Sequence, residues 1–153
     1  MGKEISKEMS KEISLDKRIE AAGYEVVIGL ETHVQLNTKT KLFCSCDNEE
    51  STTPNENICS VCTGQMGTLP ELNKAAIEKS VVLGKGLDSE INNLVSWDRK
   101  HYQYPDLPKN FQLTQLDYPV IVGGEVKCFR EDKTSFVVKL ERGHLEEDAG
   151  KLV

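Results

Sequence analysis

The chain has no apolar run approaching the ~20 residues that a bilayer-crossing helix requires, so no membrane span of that kind is expected. Its first residues lack the apolar stretch of a secretory signal and are too acidic for an organellar transit peptide, which leaves the cytoplasm as the expected compartment. Basic charge is not in excess. The 25 Asp and Glu residues outnumber 19 Lys and Arg, for a net charge of -6, and this argues against a dedicated nucleic-acid coat protein. Contact with RNA through a local patch or a partner stays open. Glycine-rich phosphate loops of the Gly-x-x-x-x-Gly-Lys and Gly-x-Gly-x-x-Gly types are also missing, so a P-loop is not the means by which any nucleotide binds.

What is present suits a water-soluble globular chain. It has 153 residues, 38% of them apolar and 29% charged, as expected for one domain with a modest core. Residues 3–14 repeat every four positions, placing Ile5, Met9 and Ile13 on one thin stripe of a helix. Residues 1–23 therefore read as a charged extension, helical part of the time. A partner-binding helix is the alternative.

The folded part is expected over residues 24–153. Residues 24–36 alternate, with Val26, Ile28, Leu30, Val34 and Leu36 on one side and Glu31 and His33 on the other, a strand pattern. A polar, cysteine-containing loop follows. Asn73 can cap a helix through Ala75, Ile77, Val81 and Leu83, with a ragged end at Gly84 and Gly86. Residues 97–117 read as ordered but irregular. Strands are expected at 119–122, 125–130 and 136–140, with Cys128 as a small inert core residue. Strands around at least one helix give an α+β class.

Two groups of side chains carry chemistry. Cys44-Ser45-Cys46 and Cys59-Ser60-Val61-Cys62 are separated by twelve residues, so two short hairpins could turn four thiolates toward one Zn²⁺. Two disulfides, disfavoured in a reducing compartment, and four unrelated thiols are the alternatives. Four ligands would close the shell, which makes the site structural. Glu31, His33, Glu146, Glu147 and Asp148 form the second group. Carboxylates beside a histidine suit Mg²⁺ where it touches nucleotide phosphates, although an exposed acidic turn explains the same residues.

Taken together, these motifs resemble the B subunit of the aspartyl/glutamyl-tRNA amidotransferase. The likeness runs through the segment Val27-Ile28-Gly29-Leu30-Glu31-Thr32-His33-Val34-Gln35-Leu36-Asn37-Thr38, the four cysteines, and Gly67-Thr68-Leu69-Pro70. It continues through Leu72-Asn73, Asp98-Arg99-Lys100 and Tyr104-Pro105-Asp106-Leu107-Pro108-Lys109, and ends in His144-Leu145-Glu146-Glu147-Asp148-Ala149-Gly150-Lys151. It covers about residues 24–153. Thr32 stands where the family usually has Val, and Gln65-Met66-Gly67 replaces a Pro-containing stretch.

The resemblance implies a fold and a reaction. The fold is a mostly antiparallel sheet with helices, part of a cradle like that of glutamine synthetase and the guanidino kinases. The reaction uses ATP and Mg²⁺ to phosphorylate the side-chain carboxyl of Glu or Asp mischarged on tRNA. Ammonia released from glutamine by the amidase, the A subunit, then displaces the phosphate, and a small C subunit clasps the other two. Glu31, His33, Glu146 and Glu147 would hold the magnesium, with Glu146 or Glu147 also guiding ammonia. Arg99, Lys100 and Lys109 would meet nucleotide or RNA phosphate, ordinary surface cations being the alternative. Cys44, Cys46, Cys59 and Cys62 would form the family's zinc knuckle. Family members run to several hundred residues, so the chain reads as the N-terminal part of the catalytic domain. A non-catalytic zinc-stabilised module that docks on an amidase partner is the second reading.

Overall fold

The structure, a computed structural model, describes residues 17–107 and 109–148 and divides into two units between Gln35 and Leu36. The repeat at 3–14 lies outside the described residues. In the first unit, residues 17–21 are helical. Gly23, at φ 79°, ends that turn: its N–H donates to Glu20 O (2.9 Å) and Tyr24 N–H reaches Ile19 O (3.2 Å), a Schellman closure. Residues 24–35 form no helix or strand. The expected strand over 24–36 is thus not realised, because side-chain alternation does not by itself supply the backbone partner that a ladder needs.

The second unit is built around one helix, α1 (Lys74–Gly86). Asn73 caps it as expected, its Oδ1 accepting from Ala75 N–H at 2.9 Å. The same side chain donates through Nδ2 to Thr40 O at 2.9 Å, so the cap also ties the helix to the start of the cysteine loop. Gly84 does not fray the end. It is buried inside α1, where a Cβ would lie 2.5 Å from Ile91 Cδ1; glycine lets the helix settle on the sheet.

That sheet has three short antiparallel strands, β1 (Glu90–Ile91), β4 (Ile121–Val122) and β7 (Arg142–Gly143), with β4 in the middle. Ala76, Val120, Ile121 and Leu145 form the buried core, with Leu36, Leu42, Ile77, Val81, Ile91, Val95 and Trp97 packed around it. Two hairpins complete the unit. One pairs β2 (Asp98–His101) with β3 (Phe111–Thr114), the other β5 (Glu125–Phe129) with β6 (Ser135–Lys139).

The β2–β3 hairpin replaces the irregular segment expected over 97–117. Its register sets His101 opposite Phe111 and Arg99 opposite Leu113. Arg99 lies diagonal to Phe111, its guanidinium 4.7 Å from the ring centre. The β5 and β6 expectations hold to within a residue or two. Cys128 is not a core residue, however. It shares one face of the β5–β6 hairpin with Val126, Phe136 and Val138, half-buried. Among the described residues, no helix is long and apolar enough to cross a membrane.

Among the described residues, the most deeply buried polar side chain is one that hydropathy passes over. Gln115, 1% exposed, accepts at Oε1 from Leu145 N–H (3.0 Å) and Val120 N–H (3.3 Å). Its Nε2 donates to Ser96 O and Tyr118 O, both at 3.3 Å. Both ends of the amide are satisfied, so the burial is tolerated, and the backbone at Leu145 is fixed just before Glu146 and Glu147.

Candidate functional site

The cysteine loop folds on two turns. Thr40 and Asp47 bridge, Lys41 N–H donates to Cys46 O (3.0 Å) and Asn48 N–H to Lys39 O (3.1 Å), which closes a tight hairpin presenting Cys44 and Cys46. Around the second pair, Thr63 N–H reaches Cys59 O (3.1 Å) and Gln65 N–H reaches Ser60 O (3.0 Å), winding Cys59 to Cys62 into a single helical turn. The four sulfurs meet. All lie within 4.8 Å of one another, with Cys44 Sγ 3.6 Å and Cys59 Sγ 3.8 Å from Cys62 Sγ. Sulfurs 2.3 Å from a tetrahedral Zn²⁺ stand about 3.8 Å apart, so the donor set fits that ion. No disulfide joins them.

The thiols are electrostatically unequal. Burial, reinforced by Cys62 beside it, pushes Cys44 up to about 12, and burial also raises Cys46. Cys59 goes the other way, to about 7, chiefly because the Cys62 backbone N–H donates to its sulfur. A lowered pKa puts thiolate in place above neutral pH, and thiolate is the reacting form. Among metal-stripped molecules whose loop stays folded, Cys59 is therefore expected to alkylate first, with its rate half-maximal near pH 7 and Cys44 slowest. Mass spectrometry of timed iodoacetamide labelling checks this; equal rates at Cys44 and Cys59 near neutral pH would refute it.

The acidic and basic candidates of the second unit come together in pairs. Glu147 N–H donates to Leu113 O (3.0 Å), which docks the segment after β7 along β3. The Glu147 carboxylate accepts from Leu113 N–H (2.8 Å) and lies 2.6 Å from Lys109 Nζ, the two side chains only 14% and 9% exposed. Gln112 Nε2 donates to Glu147 O at 2.9 Å. Glu146 is held more loosely, with Lys100 Nζ at 3.5 Å and His144 Nε2 at 4.0 Å. Hydrogen bonding to Tyr102 and the charge of Glu146 raise the pKa of Lys100.

Hard carboxylate oxygens at Glu146 and Glu147 suit magnesium in kind. Of the two, Glu146 has the freer oxygens, because Glu147 is clamped by an ammonium and an amide. Glu31 and His33 belong to the first unit. Arg99 spends its guanidinium on Phe111, and Lys109 Nζ also lies 4.9 Å from the centre of that ring.

Gln112, Leu113 and Gln115, which position Glu147 and Leu145, are not legible as site residues: a glutamine in or just past a short strand gives no periodic signal. Residues 26–153 match the family described as the GatB/GatE catalytic domain. The chain belongs to that family.

Among curated relatives, it is 48% identical over 128 residues to the B subunit of the aspartyl/glutamyl-tRNA(Asn/Gln) amidotransferase of Helicobacter pylori, covering 84% of this chain and 27% of that protein. It is 50% identical over 130 residues to the second of the B subunits of Clostridium acetobutylicum (85% and 27%). The B subunit of Gloeobacter violaceus is 50% identical over 132 residues (85% and 24%). The chain thus spans about a quarter of the length of the curated relatives it matches.

Proposed function

We propose that this GatB/GatE-family chain supplies the N-terminal part of the kinase-like site of a tRNA-dependent amidotransferase. The substrate is Glu or Asp mischarged on tRNA. A carboxylate is a poor electrophile and phosphate a good leaving group, so ATP-dependent phosphorylation of the side-chain carboxyl prepares it for attack by ammonia. The amide then completes Gln-tRNA or Asn-tRNA. Ammonia comes from glutamine in a partner amidase, and a small third protein joins the two.

The observation that carries this reading is the pairing of Lys100 with Glu146 and Lys109 with Glu147. It gathers the cations that suit phosphate and the carboxylates that suit a divalent ion onto one hairpin and the segment docked against it. In this proposal, Glu31, His33, Glu146 and Glu147 hold magnesium. When bound, that ion spreads the charge that develops on a transferring phosphoryl group. Lys100, Lys109 and Arg99 orient the phosphates or the RNA backbone. Leu113 N–H and Lys109 fix the direction of the Glu147 carboxylate, which leaves Glu146 the freer ligand of the two. Cys44, Cys46, Cys59 and Cys62 hold zinc as a closed structural centre.

Introduced into the full-length protein with its two partners, Glu31→Gln is expected to lower ATP-dependent amidation of Glu-tRNA by roughly 100-fold or more, as loss of a principal electrostatic group does. Glutamine hydrolysis in the absence of transfer should be spared. Amidation at the parent rate would remove Glu31 from the site. Assembly of the 153-residue chain itself with the two partners, without turnover, would instead favour the docking-module reading.

A further inference from the structure

Four thiolates around a divalent ion carry a net charge of minus two, and a half-buried centre of that charge is favoured by a nearby cation. Lys41 stands in that place. Its Nζ donates to Asn57 O at 2.6 Å and to Cys62 Sγ at 3.8 Å, while its backbone N–H donates to Cys46 O. One residue therefore touches both arms of the cluster: the hairpin carrying Cys44 and Cys46, and the turn carrying Cys59 and Cys62.

We propose that Lys41 is the positioning residue of the metal centre. Its ammonium donates to the Cys62 thiolate and offsets part of the thiolate charge, and the Asn57 carbonyl fixes its direction. The inference rests on the zinc reading above and adds a residue outside the four ligands. A hydrogen-bond donor on a ligating sulfur lowers the energy of its lone pairs, and outer partners of this kind commonly govern metal affinity by roughly tenfold to a hundredfold.

The test compares the parent chain with Lys41→Gln and Lys41→Arg, measuring zinc affinity by competition with a chromophoric chelator. Loss of the charge in Lys41→Gln should weaken binding by roughly tenfold. Lys41→Arg, which keeps the charge, should recover most of that loss. In the cobalt-substituted proteins, the sulfur-to-cobalt charge-transfer band should move to longer wavelength in Lys41→Gln and stay near its parent position in Lys41→Arg.

A role limited to pinning the loop through Asn57 would leave the band unmoved, so equal weakening in both variants with an unshifted band overturns the proposal. Parent-like affinity and spectrum in Lys41→Gln also overturn it, with the zinc reading intact. A parent protein that binds no zinc overturns the zinc reading itself, and this inference with it.

Discussion

On the zinc proposal, replacing Cys62 with serine is expected to abolish metal binding and to lower the thermal midpoint by about 10 °C. Cys62 is the centre of the cluster, its sulfur within 3.8 Å of those of both Cys44 and Cys59. The loop around it buries little else: residues 44–68 are half-buried or exposed, and most are held by short-range turns. Metal coordination takes the place of a hydrophobic core in such a segment, and apparent zinc binding energies of roughly 10–16 kcal/mol are then folding energy. With free zinc about 1,000-fold above its dissociation constant, loss of the ion removes on the order of 4 kcal/mol of folding stability. At about 2–4 °C per kcal/mol for a chain of this size, the midpoint shift is large.

The damage should travel from the loop. Phe43, buried beside Cys44, packs edge-on against Trp97 at 4.8 Å, and its carbonyl accepts Glu71 N–H just before the α1 cap. Metal analysis should find close to one zinc in the parent and little in Cys62→Ser, with new proteolytic cuts between residues 44 and 68. An unchanged melting curve would defeat the zinc account.

The second large effect belongs to the Lys109–Glu147 pair. With the side chains 9% and 14% exposed, removing one partner leaves the other charge poorly solvated. Lys109→Met and Glu147→Gln are each expected to cost about 3–5 kcal/mol in denaturant unfolding. The double variant should lose clearly less than the sum, because the second change removes the charge that the first one stranded. A coupling of about 2 kcal/mol fits contact in one network, whereas additivity within about 0.5 kcal/mol would show that the two groups do not hold each other. Glu147→Gln should be the milder of the two, since its amide oxygen can still accept from Leu113 N–H.

The elements that can be read from sequence are those whose cause is local. Asn73 announces the start of α1 because one side chain caps one backbone N–H. The cysteines announce a cluster because short spacing within each pair brings two sulfurs to one side. Non-local pairing is less legible. Asp98-Arg99-Lys100-His101 is too charged to read as a strand, yet it forms one, because Phe111 across the hairpin takes both His101 opposite and the Arg99 guanidinium on the diagonal. Lys100 and Glu146 are 46 residues apart and Lys109 and Glu147 are 38 apart, separations that no period connects. Motifs single out the cations suited to phosphate and the carboxylates suited to magnesium, but no motif shows that these groups touch one another. Alternation over 24–36 marks a strand-like sequence and cannot supply its partner. The cradle fold likewise is what the family likeness implies, beyond the antiparallel sheets and the α1 helix of the second unit.

The central proposal, which rests on the family likeness, is that Glu31 and Glu146 serve one divalent-ion site, and manganese binding tests it most directly. Mn²⁺, a paramagnetic stand-in for Mg²⁺ with the same preference for carboxylate oxygens, can be titrated by electron paramagnetic resonance into the full-length protein assembled with its partners. The account predicts tight manganese in the parent and loss of the same site in both Glu31→Gln and Glu146→Gln. Full retention of that manganese by either variant would contradict it.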